Sequence, residues 1–448
     1  MDINTFDDDL LGLEDFAKKL ENFISIEKFF VPESLVISLD ARFGSGKSTF
    51  LKMWRNRLAA IEEDGKKPLV ISVNAWDDDY CGDPLVSLIS ALIDAFGENS
   101  QEAKPLKDAA KDVGWFLAGL GNQVVNKFTG IDVVAAGDLA EKKKAANHEN
   151  QEIPTSFFDL YSSKRMALQA LKTAIRAAVE KESDVLIMVD ELDRCRPDYA
   201  ISYLETIKHV FDVRGMTFVL AVDRRQLECS AKTAFGAGLD FPEYFRKFVQ
   251  REVPLPQPKE KNYSRMASEY VGYYLERENQ RSCRMKLDHF LTERVVELVT
   301  IMKMTPRQIQ EMFRVMGHVL QGAEDQRGRL LSCLGIGTLL MSALRLGRPK
   351  IYTLLGNQEL EVRAAASFFK EIGIDDPRWW FTLCYTGGGI NVGEKQPMDV
   401  LRESGFLTKE EESQGAPDIS GWNRGWGHSQ KDRFKQIFYK IEDLSSWT

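Results

Sequence analysis

Several residue patterns are scarce in this chain, and each scarcity excludes a class of site. The six cysteines among the 448 residues lie far apart without a CxxC pair, which fits neither a zinc site nor a disulfide framework. The five histidines are scattered without the spacing of a metal site. We therefore expect a cytoplasmic protein from a reducing compartment, without a zinc site or a disulfide framework.

Long apolar segments and an excess of basic charge are missing as well. The most membrane-like stretch, residues 113–137, is interrupted by polar side chains before it reaches the roughly 18 to 20 apolar residues that a spanning helix requires. The N-terminus is acidic before its first apolar run, unlike a secretory signal. With a net charge of −8 the chain has no global attraction to nucleic acid, so any such binding would have to be local.

Apolar runs of strand length alternate with helical patterns over the first 260 residues. The runs lie at residues 35–39, 68–76, 184–191, 216–223 and 251–256. The helical pattern after the first run places Phe50, Leu51, Trp54 and Leu58 on one face. Because strands separated by helices require crossovers, the pattern predicts an α/β fold, with a mostly parallel sheet covered by helices on both faces.

The loop after the first apolar run carries the pattern of a phosphate-binding loop. The sequence ARFGSGKST (residues 41–49) matches G-x-x-x-x-G-K-[ST], except that Ala41 replaces the first glycine. Glycines let successive backbone N–H groups curl around phosphate oxygens at the start of a helix. Lys47 is then expected to bridge the β- and γ-phosphates of ATP, and Ser48 to ligate Mg²⁺. The alternative is a glycine turn without a ligand. The predicted nucleotide-binding residues are Arg42, Phe43, Gly44, Ser45, Gly46, Lys47, Ser48 and Thr49.

An acidic pair follows a second buried strand, as a nucleotide-hydrolysing site requires. In VLIMVDELDR, Asp190 and Glu191 come at the carboxyl end of the strand, where ligands of open α/β sheets collect. Asp190 is predicted to hold magnesium and Glu191 to polarise the attacking water as general base. The alternative is a helix N-cap followed by a first-turn acid.

Four further polar residues are candidates for contact with the phosphates. Asp223 ends the apolar run of TFVLAVDRRQ, where it could sense the γ-phosphate or simply cap a turn. Arg246 and its neighbour Lys247 precede the last strand, and one of them is a candidate for the role of an arginine finger acting across a subunit boundary. Arg307 begins a helix and could reach the phosphates from a lid. Basic side chains such as these are more often solvated at the protein surface.

Taken in order, these motifs resemble those of the KAP family of P-loop NTPases, within the additional-strand class that also holds the AAA+ and STAND ATPases. ARFGSGKSTFL is similar to the family's G-x-W-G-S-G-K-[ST] loop, with Phe43 in place of tryptophan. VNAWDDD resembles its F-N-A-W segment, VDELDRC its D-[DE]-L-D-R-C strand, LAVDRRQL its sensor strand, and FRKFVQREVPLP its closing strand. Together they cover about residues 30 to 320.

The resemblance implies a core in which the catalytic strand lies between the P-loop strand and the sensor strand, followed by a helical lid. Family members often insert transmembrane helices before the acidic strand, but the matching segment here is too polar to span. Some bacterial members resemble phage-defence proteins, which implies that role for this chain by resemblance alone.

The predicted organisation follows from these motifs and from shifts in composition. Residues 376–448 are rich in glycine and in tryptophans that could dock a partner or form a small core, and we favour the core. The predicted segments are an N-terminal helix (1–30), the first part of a P-loop NTPase core (31–98), a helical insertion or linker (99–150), the second part of the core (151–260), a helical lid (261–375) and a C-terminal module of unknown role (376–448).

The predicted function is Mg²⁺-dependent ATP hydrolysis that drives a switch or motor. The expected partners are ATP and either further copies of the chain, a separate effector protein, or both. The intact set of Lys47, Ser48, Asp190 and Glu191 favours this interpretation. Two alternatives remain: a nucleotide-gated oligomeric scaffold with little turnover, and an ATP-driven nucleic-acid remodeller, which the charge does not support.

Overall fold

The structure, a computed structural model, divides into two compact units that are described separately. One contains Ile3–Asp9 and Leu13–Gln257, and the other contains Leu10–Gly12 and the chain from Pro258 onward. Most of the predicted insertion lies outside the described residues, and so does Trp447 of the predicted C-terminal module. The structure describes residues 3–60, 68–80, 82–97, 100, 103–119, 157–181, 184–282, 289–321, 332–414, 420–426 and 432–445.

The first unit, here called the sheet unit, is built on five parallel strands. They are β1 (Leu35–Asp40), β2 (Leu69–Asn74), β3 (Val185–Asp190), β4 (Met216–Val222) and β5 (Arg251–Pro254). Their order across the sheet is β2-β3-β4-β1-β5. The register pairs Asp40 with Val222 and Asn74 with Asp190, so the strands end along one edge. The mostly parallel α/β sheet predicted from the sequence is confirmed.

The strand order expected from the family resemblance is wrong. The acidic strand β3 lies between β2 and β4, and it is the sensor strand β4 that lies beside the P-loop strand β1. All residues of β4 are buried, whereas the edge strand β5 is mostly exposed. A strand that is buried along its whole length belongs in the centre of the sheet. Apolar runs of similar length do not show from sequence which of them is central.

The helices of the sheet unit follow the predicted alternation with small shifts in their ends. The first helix begins at Glu14 rather than near residue 7, because Gly12 adopts a positive φ of 70° and interrupts the chain. The predicted inner face after β1 is confirmed, since Phe50 and Trp54 are almost fully buried. The helices are α1 (Glu14–Phe30), α2 (Lys47–Ala60), α3 (Ala75–Asp79), α4 (Pro84–Phe96), α5 (Ala103–Gly119), α6 (Phe157–Lys181), α7 (Pro197–His209), α8 (Arg224–Phe235) and α9 (Phe241–Phe245).

The second unit, here called the helical unit, encloses one hydrophobic core that runs from Met266 to Ile441. Trp380 and Trp426 are fully buried in it, so the favoured interpretation of the tryptophan-rich segment as core holds for these two residues. A short parallel pair, β6 (Leu360–Glu361) with β7 (Ile390–Asn391), was not predicted. The helices are α10 (Glu260–Ser282), α11 (His289–Ile301), α12 (Pro306–Gln321), α13 (Ser332–Gly347), α14 (Pro349–Gly356), α15 (Val362–Glu371), α16 (Pro377–Thr386), α17 (Pro397–Ser404), α18 (Lys409–Gln414), α19 (Ser420–Trp426) and α20 (Arg433–Ser445).

The length and hydrophobicity of a helix decide whether it could span a membrane. Of the helices in the described part of the chain, none combines the length and the apolar character needed to cross a membrane.

Candidate functional site

The loop between β1 and α2 has the backbone geometry of a phosphate cradle. Gly44 and Gly46 adopt positive φ values of 77° and 96°, which side chains other than glycine rarely tolerate. The first intrahelical bond of α2 runs from the Phe50 amide to the Gly46 carbonyl, at 2.8 Å. The amides that precede it in the first turn, including those of Lys47 and Ser48, lie at the positive end of the helix. This arrangement is suited to an anion.

Lys47 is buried at the base of this loop. It is 8% exposed, and its ammonium group donates a hydrogen bond to the Ala41 carbonyl oxygen at 2.6 Å. The nearest carboxylate oxygen described for it belongs to Asp193, at 3.9 Å. Neither predicted acid, Asp190 or Glu191, is this partner. Burial among polar atoms keeps the ammonium group in place without exposing it to water.

The predicted acidic pair lies at the end of β3, but its two carboxylates have different partners. Asp190 accepts the backbone N–H of Glu191 at 2.9 Å. Glu191 adopts a left-handed conformation with φ of 62°, and its carboxylate forms a 2.7 Å ion pair with Arg194. Burial raises the pKa of Glu191, Arg194 opposes this effect, and the charges of Asp190 and Asp77 add to it. A raised pKa is compatible with a general base, and this role stays a prediction.

Asp193 belongs to the site although the sequence analysis gave it no role. Its carboxylate accepts the backbone N–H of Asp223 at 3.0 Å, in addition to facing Lys47. Burial raises the pKa of Asp193, while the nearby Lys47 ammonium lowers it. The signal in the sequence was the spacing of three residues between Asp190 and Asp193. A short 3₁₀ turn at Leu192–Arg194 makes use of this spacing, because it returns the chain to the edge of the sheet.

Asp223 connects the sensor strand to the phosphate loop. Its side chain caps α8 by accepting the Arg225 N–H at 3.1 Å, as the capping alternative predicted. The other carboxylate oxygen accepts the Phe43 N–H at 3.3 Å and so fixes one side of the loop. Sensing of a γ-phosphate by Asp223 stays a prediction.

An aromatic pair surrounds the guanidinium group of Arg194 at the mouth of the site. Arg194 Cζ lies 4.5 Å from the ring centre of Phe43 in the loop and 5.5 Å from that of Trp76, which follows β2. Both rings are about half exposed, at 44% and 50%. Phe43 was predicted to contact the nucleotide, whereas no short motif indicated that Arg194 contacts both rings.

The remaining predicted site residues differ in how far their side chains are exposed. Arg42 and Ser48 are exposed, whereas Ser45 and Thr49 are half-buried. Arg246 is exposed at the end of α9, and the Lys247 ammonium lies 5.8 Å from the ring centre of Tyr244. Arg307 is exposed in the first turn of α12 and belongs to the helical unit. Their predicted roles as phosphate-contacting cations stay predictions.

The donors for magnesium are of the right chemical type. Ser48 offers a hydroxyl at the start of α2, and Asp190 a carboxylate at the end of β3, which are oxygen ligands of the kind that Mg²⁺ prefers. Within the described ranges no three His, Cys, Asp or Glu side chains gather into a metal site. Magnesium at this edge would therefore depend on phosphate oxygens and water for the rest of its ligands.

The sheet and its glycine-rich loop define a P-loop NTPase fold. The family model described as the KAP family P-loop domain matches residues 13–322, which is more than half of the chain. The protein therefore belongs to the KAP family of P-loop NTPases. Membership supports nucleotide binding as the general activity.

The solved structures that match the chain are remote from it in sequence. A Walker-type ATPase of Pyrococcus abyssi is 13% identical with a TM-score of 0.34, over 99% of this chain and 98% of that chain. The ORC2 protein of Aeropyrum pernix is 13% identical with a TM-score of 0.33, over 97% and 95% of the two chains. These scores are too low to bear on function. No curated protein sequence matches the chain.

Proposed function

We propose that the chain binds MgATP at residues 41–49, hydrolyses it, and uses this cycle as a nucleotide-driven switch. One observation carries the proposal: a buried Lys47 ammonium lies in the loop of Gly44 and Gly46, and its nearest described carboxylate oxygen, of Asp193, is 3.9 Å away. Burying a cation is unfavourable unless anions compensate it. The phosphates of a nucleotide are such anions, and membership of the KAP family gives the expectation independent support.

In this proposal the side chains of the site divide the chemical work. The loop amides and the Lys47 ammonium hold the phosphates, and Ser48 with Asp190 would hold magnesium, which neutralises charge on them. Glu191 accepts the proton of the attacking water, for which its raised pKa is suitable. Asp223 orients that water or contacts the terminal phosphate. Arg246 and Arg307, both exposed, are the candidates for completing the site from an adjacent subunit or a lid.

One observation favours a second candidate, a nucleotide-gated scaffold with little turnover. Arg194 holds one oxygen of the Glu191 carboxylate at 2.7 Å, and an arginine partner makes a carboxylate a weaker base because it stabilises the charged form. If no event separates the pair, ATP would bind and fix an oligomer without rapid hydrolysis. The effector that responds to either state would be a separate protein or a second copy of the chain.

The first experiment is steady-state ATP hydrolysis by the purified chain with Mg²⁺ and with EDTA, beside Lys47→Ala and Glu191→Gln. We expect Lys47→Ala to lose nucleotide binding, because it removes the charge on the β- and γ-phosphates. Glu191→Gln should bind ATP but turn over at least about 100-fold more slowly, because the amide keeps the shape but cannot accept a proton.

Light scattering with and without ATP then separates the two candidates. Mg²⁺-dependent turnover that is lost in Glu191→Gln, together with ATP-dependent assembly, supports the switch. Tight ATP binding and assembly without turnover in the parent protein supports the scaffold. Hydrolysis by Glu191→Gln at the parent rate would contradict the assignment of the base.

A further inference from the structure

Arg194 connects the acid that ends β3 to the phosphate loop. Its guanidinium group pairs with the Glu191 carboxylate at 2.7 Å and lies 4.5 Å from the ring centre of Phe43. Phe43 directly precedes Gly44, and its amide is fixed by Asp223. A single cation therefore contacts both the candidate base and the loop that would receive phosphate.

The chemistry of arginine allows either of two partners at this position. Its planar fork of N–H donors matches a carboxylate and a phosphate equally well in geometry. The Arg194 side chain is 30% exposed and the Glu191 side chain 17%, so the pair is neither sealed in the core nor fully solvated. A terminal phosphate carries more negative charge than a carboxylate, so a phosphate arriving beside Phe43 would compete for the guanidinium group.

The backbone of Glu191 indicates that its present position is held by several contacts. A left-handed conformation is unfavourable for a residue with a side chain, and such residues persist where surrounding contacts fix them. Here the contacts are the Asp190 carboxylate on the Glu191 N–H and Arg194 on its side chain. Removing the Arg194 contact would leave the carboxylate with the Asn74 side chain at the end of β2 as its remaining hydrogen-bond partner.

We propose that Arg194 is a positioning residue that exchanges the Glu191 carboxylate for the terminal phosphate when a nucleoside triphosphate binds. The exchange links arrival of the third phosphate to release of the base. A diphosphate lacks the group that draws Arg194 away and leaves the pair intact. This inference deepens the proposed ATPase function and rests on it.

A double-variant cycle on binding tests the exchange without relying on turnover. Calorimetry would measure the affinities for ADP and for a slowly hydrolysed ATP analogue in the parent protein, Arg194→Gln, Glu191→Gln and the double variant. We expect Arg194→Gln to weaken the triphosphate analogue about tenfold or more while changing ADP affinity less than about twofold. Glu191→Gln should tighten the analogue about three- to tenfold, because Arg194 no longer has to leave a carboxylate. This gain should disappear in the double variant.

Arg196 supplies the matched control for the loss of one positive charge. It lies two residues further along and pairs with Asp79 at 2.9 Å rather than with Glu191. Arg196→Gln should change the affinities for the two nucleotides by the same small factor. Arg194→Lys keeps the charge but not the fork, and should give a loss of triphosphate affinity between those of the parent and Arg194→Gln. It also serves if Arg194→Gln does not fold.

Trp76 gives an independent optical readout. The guanidinium group lies 5.5 Å from its ring centre, so withdrawal of Arg194 should alter the emission of this tryptophan. The signal is obtained as the difference between the parent protein and Trp76→Phe. We expect the triphosphate analogue to change it and ADP to leave it unchanged, with no change in the Arg194→Gln background.

The possible results separate the two levels of the proposal. Equal weakening of ADP and the analogue by Arg194→Gln, or an additive double variant, would overturn the exchange and leave nucleotide binding intact. If the parent protein binds neither nucleotide, the proposed function is wrong and the exchange falls with it.

Discussion

The two units bury different kinds of polar residue. In the sheet unit the buried residues include the charged Lys47, Asp79 and Asp223. In the described part of the helical unit the buried polar residues are hydroxyls, such as Thr338 and Ser342. Each of these two hydroxyls donates to a carbonyl oxygen four residues earlier in its own helix, at 2.8 Å. These two hydroxyls thus find their acceptors within one helix, whereas Lys47 and Asp193 of the sheet unit come from separate segments of the chain.

This difference indicates where function resides. Local hydroxyl bonds are a routine way to place a serine or threonine in a helix interior. Buried charges are unfavourable unless partners are brought together from distant parts of the chain, as with Lys47 and Asp193. Charges that persist in such a position are characteristic of functional sites. Asp79, held by Arg196, is the exception, because that pair joins α3 to the start of α7 and is structural.

Deleting a large side chain from the core of the helical unit should have the largest effect on stability. Trp380 is fully buried, and Trp380→Ala should lower the free energy of unfolding of this unit by about 3–5 kcal/mol through loss of contacts and a residual cavity. Urea unfolding followed by circular dichroism measures the change. Trp380→Phe keeps most of the ring and should lose much less. Equal losses for both variants would show that ring volume is not what stabilises this core.

Asp193 tests whether the charge network of the sheet unit is also structural. Asp193→Ala removes the acceptor of the Asp223 N–H, and should lower the free energy of unfolding of the sheet unit by about 1–3 kcal/mol. Asp193→Asn retains an oxygen acceptor and should recover most of this loss in the same denaturant titration. A fully stable Asp193→Ala protein would mean that the Asp223 N–H does not depend on this carboxylate.

The pH dependence of hydrolysis tests whether the charged groups of the sheet unit act in catalysis. Glu191 must be ionised to act as a base, and its pKa is raised above 4.5 by burial, so turnover should fall as the pH drops through that raised value. In the free enzyme Arg194 lowers the pKa of Glu191, hence Arg194→Gln should move the acid limb of kcat/KM, which reports the free enzyme, to higher pH. Arg196→Gln serves as the control and should leave the limb in place. An acid limb that moves to lower pH in Arg194→Gln would contradict this account.

The contiguous motifs made part of this site predictable. A glycine-rich loop after a strand and an acidic pair after another strand carry their chemistry within a few residues, and parallel strands bring such ends to one edge. The sequence therefore predicted that Lys47 and Asp190 lie at the same edge of one sheet, but not that β4 separates their two strands. Their roles stay predictions until nucleotide binding is measured.

Other features depended on contacts that no short segment contains. The order of the strands depends on which apolar segments are buried on both faces of the sheet. The sequences of β3 and β4 are both continuous apolar runs, so the sequence does not distinguish their places in the order. Asp193 gains its place only because a 3₁₀ turn returns it towards Lys47. Arg194 finds its partners in three segments, at Phe43, Trp76 and Glu191. Such pairings are properties of the fold and not of local pattern.

The smallest expected effect concerns a buried hydroxyl of the helical unit. Thr338 is fully buried, and its hydroxyl donates to the Leu334 carbonyl oxygen, which is also placed to accept the backbone bond of the helix. Thr338→Val keeps the shape, so the free energy of unfolding should change by no more than about 1 kcal/mol.

The matched change in the sheet unit is Asp223→Leu, which removes an acceptor used by Phe43 and Arg225. Because two backbone N–H groups lose their partner, we expect a loss of about 2 kcal/mol or more, measured in the same titration. A larger loss for Thr338→Val than for Asp223→Leu would reverse the contrast between the units. It would mean that the helical unit, and not the edge of the sheet, contains the polar group on which the fold depends.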